Sequence, residues 1–279
     1  MSEPSTHLRR AAVVWAVLSI FGVLGIVFLL GPHMPPGRGS VESSQQTTTN
    51  ILIASIMLPI AIGVWVFFAF ALTTFRQRGD QIEDGPPIVG HARIQAGWVA
   101  CSTLIVLFLA AFGTYSLVDS AKGASGGGQG SDPLVTPAGD ALQVQVIGQQ
   151  WAWTFRYPGY GGFETTHLTL PIGRLVELHV TSLDVIHSFW AYGLGVKADA
   201  VPGTDNVAFV TPQKVQSFSI RCAEVCGLWH GYMATHGEVV DGSAFASWVH
   251  DERSAMALAT RVLPHYSRVY YPDPPRRAG

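Results

Sequence analysis

Three long apolar runs dominate the first half of the chain. They cover residues 11–30, 51–72 and 97–118, and none of them contains Asp, Glu, Lys or Arg. An α-helix needs about 20 apolar residues to cross about 30 Å of hydrocarbon, and each run is close to that length. The pattern therefore predicts transmembrane helices in this half of the chain.

After residue 138 the pattern changes to short segments with many β-branched and aromatic residues. These segments are ALQVQVIGQQWAWTFRY, RLVELHVTSLDVIHSFW, DNVAFVTP and KVQSFSIRC, and their composition is typical of β-strands. Pro and Gly turns separate them, so we expect a compact β-sandwich or barrel. The residues after Asp241 have the composition of one helix.

A Gly- and Ser-rich stretch separates the two halves and predicts a flexible linker. The sequence therefore predicts five parts: an N-terminal apolar segment with an outer loop (1–50), a transmembrane helix hairpin (51–118), the linker (119–138), the β domain (139–242), and a C-terminal helix and tail (243–279).

The distribution of arginines orients the apolar runs. Two arginines precede the first run and three lie between the second and third, whereas residues 31–50 contain only Arg38. Because Lys and Arg accumulate on the cytoplasmic side, the β domain is predicted to be exported. The first run could be a retained helix or a signal peptide; it is long for a signal peptide, and no clear cleavage site follows it.

Composition supports a membrane protein. The chain is 48% hydrophobic and 13% charged, with a mean hydropathy of +0.28 and a net charge of -2. In the exported half, acidic residues outnumber basic ones. This balance disfavours nucleic acid as a partner and permits a basic protein.

The segment RCAEVCGLWHGYM, residues 221–233, concentrates metal-binding side chains. Cys222 and Cys226 in an exported domain are candidates for a disulfide, but a disulfide needs neither His230 nor Met233. A c-type haem needs C-x-x-C-H, which is absent here. Zinc could use both thiolates and His230, although a thioether adds nothing to a zinc site.

Methionine sulfur beside thiolate and imidazole favours copper. A site of this kind needs a second histidine, which His187 in DVIHSFW could supply. Two thiolates can bridge two copper ions closely enough for the ions to share an electron. A lone histidine near a strand end is usually structural, so the missing ligand is what draws attention to His187.

At this point a family resemblance becomes specific. CAEVCGLWHGYM matches the pattern C-x-E-x-C-x-x-x-H-x-x-M of cytochrome c oxidase subunit II, which carries the binuclear copper centre CuA. The segments DVIHSF, KADAVPGTDN and QQWAWTFRY are also similar to that family, and the resemblance covers about 50–262. It implies a membrane-anchored protein with N-terminal transmembrane helices and an all-β, cupredoxin-like exported domain.

The resemblance also implies roles for the metal-binding residues. Two thiolates would bridge the copper ions, two imidazoles would bind terminally, and a thioether and a backbone carbonyl would be weak ligands. The residues in this order are Cys222 and Cys226, His187 and His230, Met233 and Glu224. The Glu224 carboxylate would bind Mg or Mn at the interface with subunit I.

The first tryptophan of QQWAWTFRY, Trp151, would receive the electron, whereas Trp153 is expected to pack in the core. Cytochrome c, or a tethered c-type cytochrome domain, would be the donor. Subunit I would pass the electron to its haem and copper site, where O2 reduction is coupled to proton translocation. Further oxidase subunits and membrane lipid would be partners, in the plasma membrane of a bacterium with the CuA domain on the periplasmic face.

Several charged residues bear on donor docking. Asp184 could support the site or an interface, and Asp199 and Asp205 could face a basic cytochrome, although each alone is more often a solvated charge. The family usually has Glu where this chain has Arg156. That departure suggests a donor that is tethered or less basic.

A second departure concerns proton uptake. Trp98 matches the tryptophan that opens the last membrane helix of the family, but the carboxylate expected three residues earlier is Gln95. Glu83, Asp84 or His91 could replace that carboxylate, or the proton path could begin elsewhere.

Other classes of protein remain as alternatives. A copper chaperone also uses C-x-x-x-C with a distant histidine, but usually has a thioredoxin-like fold and one anchor. Quinol-oxidase subunits lack the copper ligands, and nitrous oxide reductase needs a large further domain. A purely structural disulfide protein would use the two cysteines without copper.

Overall fold

The structure is a computed structural model that describes residues 4–74, 76, 90–123 and 140–256. The chain divides into a helical unit, Met1–Met34 with Thr49–Ser116, and a β unit, Pro35–Thr48 with Leu117–Gly279. The predicted order of N-terminal helices followed by an all-β domain is confirmed.

Three helices are long and apolar enough to cross a membrane. They are α1 (Pro4–Leu24), which continues through a π-helical and a 3-10 turn to His33, α2 (Val41–Thr73) and α3 (Ala92–Gly123). Helix α2 begins ten residues before the apolar run at residue 51, because polar residues extend its first turns. Helix α3 includes residues 119–123, which the sequence assigned to the linker.

Helix α1 has a specific contact with α2. The Trp15 indole N–H donates to the Pro59 carbonyl at 2.8 Å, and Gly63 leaves room for the Trp15 ring. At Gly22 a Cβ would lie 2.6 Å from Leu58 Cδ2. Small residues allow this close helix packing in membranes, so a retained α1 would pack on α2.

Residues 35–48 belong to the β unit rather than to a separate outer loop. Ser40 Oγ donates to the Leu194 carbonyl at 2.7 Å, and Gln46 Nε2 donates to the Gly195 carbonyl at 2.6 Å. Glu42 Oε2 accepts from the Thr211 N–H at 3.0 Å. Ser40 also caps α2 by accepting from the Ser43 N–H. The predicted boundary at residue 50 therefore differs from the division in the structure.

The β domain is a two-layer sandwich of ten strands within the described residues. Their bounds are β1 (Leu142–Gln149), β2 (Ala152–Tyr157), β3 (Phe163–Thr165), β4 (Leu168–Pro171), β5 (Val176–Ser182), β6 (His187–Ala191), β7 (Val196–Ala200), β8 (Asn206–Val210), β9 (Gln216–Cys222) and β10 (Ala234–Val240). One sheet has the order β3-β2-β1-β5-β8 and the other β4-β10-β9-β6-β7. The β1–β5 and β4–β10 pairs are parallel, and the others are antiparallel.

Alternate residues of the strands form the core between the sheets. Val144 and Val146 of β1, with Trp153 and Phe155 of β2, are buried there, as the period of two predicts. Phe189 from the opposite sheet meets the Trp153 ring edge-on, with centroids 5.6 Å apart. Burying a large apolar side chain contributes about 1.5–3 kcal/mol, so these contacts hold the two sheets together.

The predicted C-terminal helix is α4 (Gly242–Ala255). Asp241 caps it, since its side chain accepts from the Ser243 and Ala244 N–H groups. Phe245 and Val249 are buried against the sandwich. Most of the predicted linker, the candidate acids Glu83 and Asp84, and the tail after Arg261 lie outside the described residues.

Tyr157 forms hydrogen bonds with the backbone at the outer edge of β4. Its hydroxyl donates to the Thr169 carbonyl at 2.9 Å and accepts from the Thr169 N–H at 3.0 Å. Because β4 is an edge strand, these groups would otherwise be unpaired, and Thr169 is buried. Burial also raises the pKa of Tyr157 above its usual range, so the hydroxyl keeps its proton.

We expect Tyr157→Phe to destabilise the β domain by about 1–3 kcal/mol, because Thr169 would retain a buried, unpaired N–H and C=O. Chemical unfolding of the full chain measures the change. In Tyr160→Phe, the lost hydroxyl accepts only a partly exposed bond from Arg174, so the change should stay within about 0.5 kcal/mol. Equal effects of the two variants would contradict this assignment.

Candidate metal centre

The candidate metal ligands meet because β6 pairs with β9. In this antiparallel pair Phe189 lies opposite Cys222, so His187 at the start of β6 comes close to the end of β9. The chain then forms a loop, residues 223–233, that returns to the Cys222 N–H through the Met233 carbonyl at 3.0 Å. Sheet pairing therefore brings together residues that are 35 positions apart.

The sulfur and nitrogen atoms of the candidate ligands lie close to one another. Cys222 Sγ lies 3.8 Å from Cys226 Sγ and 3.9 Å from His187 Nδ1. Cys226 Sγ lies 3.5 Å from His230 Nδ1 and 3.8 Å from Met233 Sδ. All five predicted side-chain ligands are thus in one cluster, and among the described residues His187, Cys222 and Cys226 form the one compact group that could hold a metal ion.

The geometry and chemistry of the cluster fit copper. A metal–thiolate bond is about 2.3 Å long, so one ion can contact two sulfurs that are 3.8 Å apart. Thiolate, thioether and imidazole are the soft and intermediate donors that copper prefers. His187 and Met233 are almost fully buried, which keeps water away from the centre.

The two cysteines are free thiols in the structure. Their separation is far longer than the S–S bond of about 2.05 Å. Burial, with the neighbouring Cys222 thiol, raises the pKa of Cys226 to about 11. Cys226 is therefore protonated at neutral pH without a metal, and metal binding must displace that proton.

Glu224 presents two different groups. Its backbone carbonyl lies 3.2 Å from Cys222 Sγ and so points into the cluster. Its carboxylate is on an exposed residue and accepts from the Val225 N–H at 3.2 Å. The described residues do not offer a second compact group of three ligands around this carboxylate.

His187 is held on both sides of its ring. Nε2 lies 2.9 Å from Asp184 Oδ1, which leaves Nδ1 facing Cys222. The Trp153 ring packs edge-on against the imidazole, with centroids 6.0 Å apart. Gly148 permits this packing, since a Cβ there would lie 3.2 Å from His187 Cδ2 and 3.1 Å from Trp153 Cζ3.

Asp184 joins the histidine to the β1–β2 turn. Its Oδ2 accepts from the Gln150 N–H at 2.7 Å, and Oδ1 accepts from the Val185 N–H at 2.7 Å. Partial burial opposes ionisation, but these bonds and the contact with His187 hold the pKa of Asp184 below its usual range. Asp184 is therefore an ionised partner of the candidate ligand His187 and not a free surface charge.

Two side chains of the β1–β2 turn reach the carbonyl of Cys226. Gln150 Nε2 donates to it at 2.8 Å, and the Trp151 indole N–H donates at 3.2 Å. Trp151 is partly exposed, whereas Trp153 is in the core as predicted. Trp151 therefore links the protein surface to the backbone of a proposed copper ligand.

Two of the other charged candidates, Arg156 and Asp205, are less available to a donor protein than the sequence predicts. Arg156 donates to Glu164 and, at 3.3 Å, to Gln145 Oε1, so Glu164 offsets its charge. Asp205 is buried and lies 3.0 Å from His179 Nδ1, which removes it from the predicted acidic surface. Asp199 is exposed and accepts from Ser188.

At the proposed proton entrance, the Gln95 N–H donates to the His91 carbonyl in the first turn of α3, and Trp98 is exposed. Neither Gln95 nor Trp98 carries a carboxylate.

Sequence reasoning missed the supporting residues Gln150, Gly148 and Gly227. Gln150 stands within the quoted segment QQWAWTFRY, but nothing in its spacing indicates a bond to a loop 76 positions away. The glycine directly after Cys226 and the glycine shortly before Trp151 were the available signal, since glycine allows close approach of other groups.

We expect Gly148→Ala to weaken copper binding by about tenfold or more, because the new methyl group displaces His187 or Trp153. A competition titration with a copper chelator measures the affinity. Gly231→Ala is the matched control. Gly231 lies in the loop of residues 223–233, called the metal loop below, yet a Cβ there meets nothing within 4 Å. Unchanged affinity in Gly148→Ala, or an equal loss in both variants, would contradict the packing argument.

The fold and the site together define a class, that of membrane-anchored proteins with an exported cupredoxin-like domain. The family model described as cytochrome c oxidase subunit II, periplasmic domain, matches residues 163–240. Cytochrome c oxidase subunit 2 of Synechocystis is 31% identical, over 82% of this chain and 80% of the relative. The corresponding subunit of Thermostichus vulcanus is 29% identical, over 91% and 89%.

Among solved structures, the periplasmic domain of subunit II of cytochrome oxidase from Bradyrhizobium japonicum is 32% identical. The matched region covers 43% of this chain and 97% of the Bradyrhizobium domain, with a TM-score of 0.41. From the sequence relatives, the chain belongs to the cytochrome c oxidase subunit 2 family. It is therefore a subunit of a cytochrome c oxidase.

Proposed function

We propose that the chain binds a binuclear CuA centre and transfers electrons from a cytochrome c to subunit I. The observation that carries this proposal is the buried Met233, whose Sδ lies 3.8 Å from Cys226 Sγ. Two thiols, two imidazoles and a thioether provide five donor atoms, which is more than one four-coordinate ion needs. Cys222 and Cys226 would bridge the ions, and His187 and His230 would bind terminally.

Zinc is the main alternative occupant, because two thiolates and two imidazoles can form a structural zinc site. Such a site leaves Met233 without a role. A chaperone would keep its copper exposed for transfer, whereas here Cys222, Cys226 and His187 are buried. A structural disulfide has no use for the two histidines that face the thiols.

The bound copper pair would accept and release one electron at a time. The protein residues fix the ligands and exclude water, which reduces the rearrangement that accompanies each transfer. Trp151 would receive the electron from the donor, since its indole N–H contacts the Cys226 carbonyl directly. This route needs no mobile side chain between the surface and the metal ligand.

The surface around the centre supports docking of a protein partner. Val225, Leu228 and Tyr232 are 80%, 84% and 78% exposed, and clusters of exposed apolar residues commonly mark interaction sites. The donor would be cytochrome c or a tethered c-type cytochrome domain. Arg156 does not decide between them, because Glu164 offsets its charge.

The remaining assignments follow from the family. The Glu224 carboxylate would bind Mg or Mn, with further ligands from subunit I, because Glu224 is exposed and a single carboxylate does not complete the oxygen shell of a hard divalent cation. Electrons would pass to the haem and copper site of subunit I, coupled to proton translocation. The chain would lie in a bacterial plasma membrane, in contact with lipid and further oxidase subunits, with the β domain on the periplasmic face.

The metal content of the purified full chain tests the central assignment. We expect two copper ions per chain and a paramagnetic resonance spectrum in which one unpaired electron is shared by both. Cys222→Ser should abolish this spectrum, because it removes a bridging sulfur. Cys101→Ser, which changes a cysteine in α3, should leave it unaltered. One zinc ion per chain would contradict the proposal.

Trp151→Phe should slow electron transfer from reduced cytochrome c by about tenfold or more, because phenylalanine lacks the N–H that bonds to Cys226. Stopped-flow reduction of the assembled oxidase measures the rate, and the copper spectrum checks that the centre is intact. Trp229→Phe is the control, since Trp229 is also exposed and lies in the metal loop. A slower rate in Trp229→Phe alone would move the electron route to that residue.

A further inference from the structure

Gln150 is hydrogen-bonded both to Asp184, the partner of His187, and to Cys226. Its backbone N–H donates to Asp184 Oδ2 at 2.7 Å, and Asp184 Oδ1 contacts His187 Nε2 at 2.9 Å. Its side-chain amide donates to the Cys226 carbonyl at 2.8 Å. The β1–β2 turn is therefore connected to the β5–β6 loop, whose Asp184 contacts His187, and to the loop that carries Cys226.

Cys226 needs such a connection more than Cys222 does. Cys222 is the last residue of β9, and its N–H donates to the carbonyl of Met233, the residue directly before β10. Cys226 lies in the loop between β9 and β10, beyond the reach of the strand ladder. Gln150 and Trp151 hold its carbonyl from the neighbouring turn.

Gly227 is independent support for this arrangement. Its φ of +116° lies in a region that favours glycine. A Cβ at this position would also lie 2.9 Å from Gln150 Nε2 and 3.3 Å from Trp151 Cζ2. The absence of a side chain at residue 227 is what lets the amide and the indole reach the Cys226 carbonyl together.

We propose that Gln150 is a positioning residue for the metal centre. It fixes the bridging thiolate of Cys226 relative to His187, and it fixes the same carbonyl that Trp151 contacts. Gln150 is not a metal ligand. This inference rests on the proposed copper centre, although the hydrogen bonds themselves are present without a metal.

Two substitutions test the role of the amide without a large change in the turn. Gln150→Glu is nearly isosteric, but its carboxylate cannot donate to the Cys226 carbonyl. Gln150→Leu removes both the donor and the charge. Gln149→Leu is the matched control, because Gln149 is an exposed glutamine at the end of β1, next to the same turn, and pairs through its backbone with Ala152.

The first measurement is amide hydrogen exchange of residues 226–230 in the copper-free full chain. Both Gln150 variants should exchange about tenfold faster than the unmodified chain, since a hydrogen bond that anchors the loop is lost. Gln149→Leu should exchange at the original rate. Exchange within twofold of the original rate in both Gln150 variants would overturn the proposal, whether or not the chain binds copper.

The second measurement is the copper hyperfine pattern and the reduction potential of the copper-loaded full chain. Both quantities should change in Gln150→Glu and Gln150→Leu and stay constant in Gln149→Leu. If both stay constant in all variants while only the KM for cytochrome c rises, Gln150 is a docking residue and the proposal is wrong. An unmodified chain that takes up no copper contradicts the proposed function, and the exchange result then decides the positioning role by itself.

Discussion

The antiparallel pairing of β6 with β9 is the interaction on which the site depends. It places Phe189 opposite Cys222, and so brings His187 within 3.9 Å of a thiol that is 35 residues away. The aromatic core stabilises the same region, because Trp153 contacts both Phe189 and His187. Packing between the sheets and orientation of the candidate ligand His187 therefore share one set of contacts.

The rest of the centre is held from outside this pair of strands. Asp184 orients His187, while Gln150 and Trp151 hold the carbonyl of Cys226. Glycines at residues 148 and 227 provide the space that these contacts occupy. The loop of residues 223–233, which lies outside the strands, is thus fixed by the side chains of a neighbouring turn, as the proposed electron-transfer site would require.

The sequence predicted the elements with a strong local signal. The apolar runs became α1 to α3, and the segment with Val144 and Trp153 became β1 and β2. It did not single out β3, β4, β7 or β10. The β10 segment ATHGEVV, for example, contains Gly237 and little alternation, and its strand state depends on partners. The clustering of the candidate ligands was predictable because a spaced motif carries most of them. Gln150 was not, because its partner is distant in sequence, and Asp205 was misjudged because burial against His179 is a tertiary property.

X-ray absorption at the copper edge of the purified full chain tests the central claim most directly. A centre bridged by Cys222 and Cys226 predicts scattering from sulfur at about 2.3 Å, with additional scattering from a second copper ion close to the first. Copper surrounded by nitrogen and oxygen alone, or a chain that holds zinc in place of copper, would contradict the account.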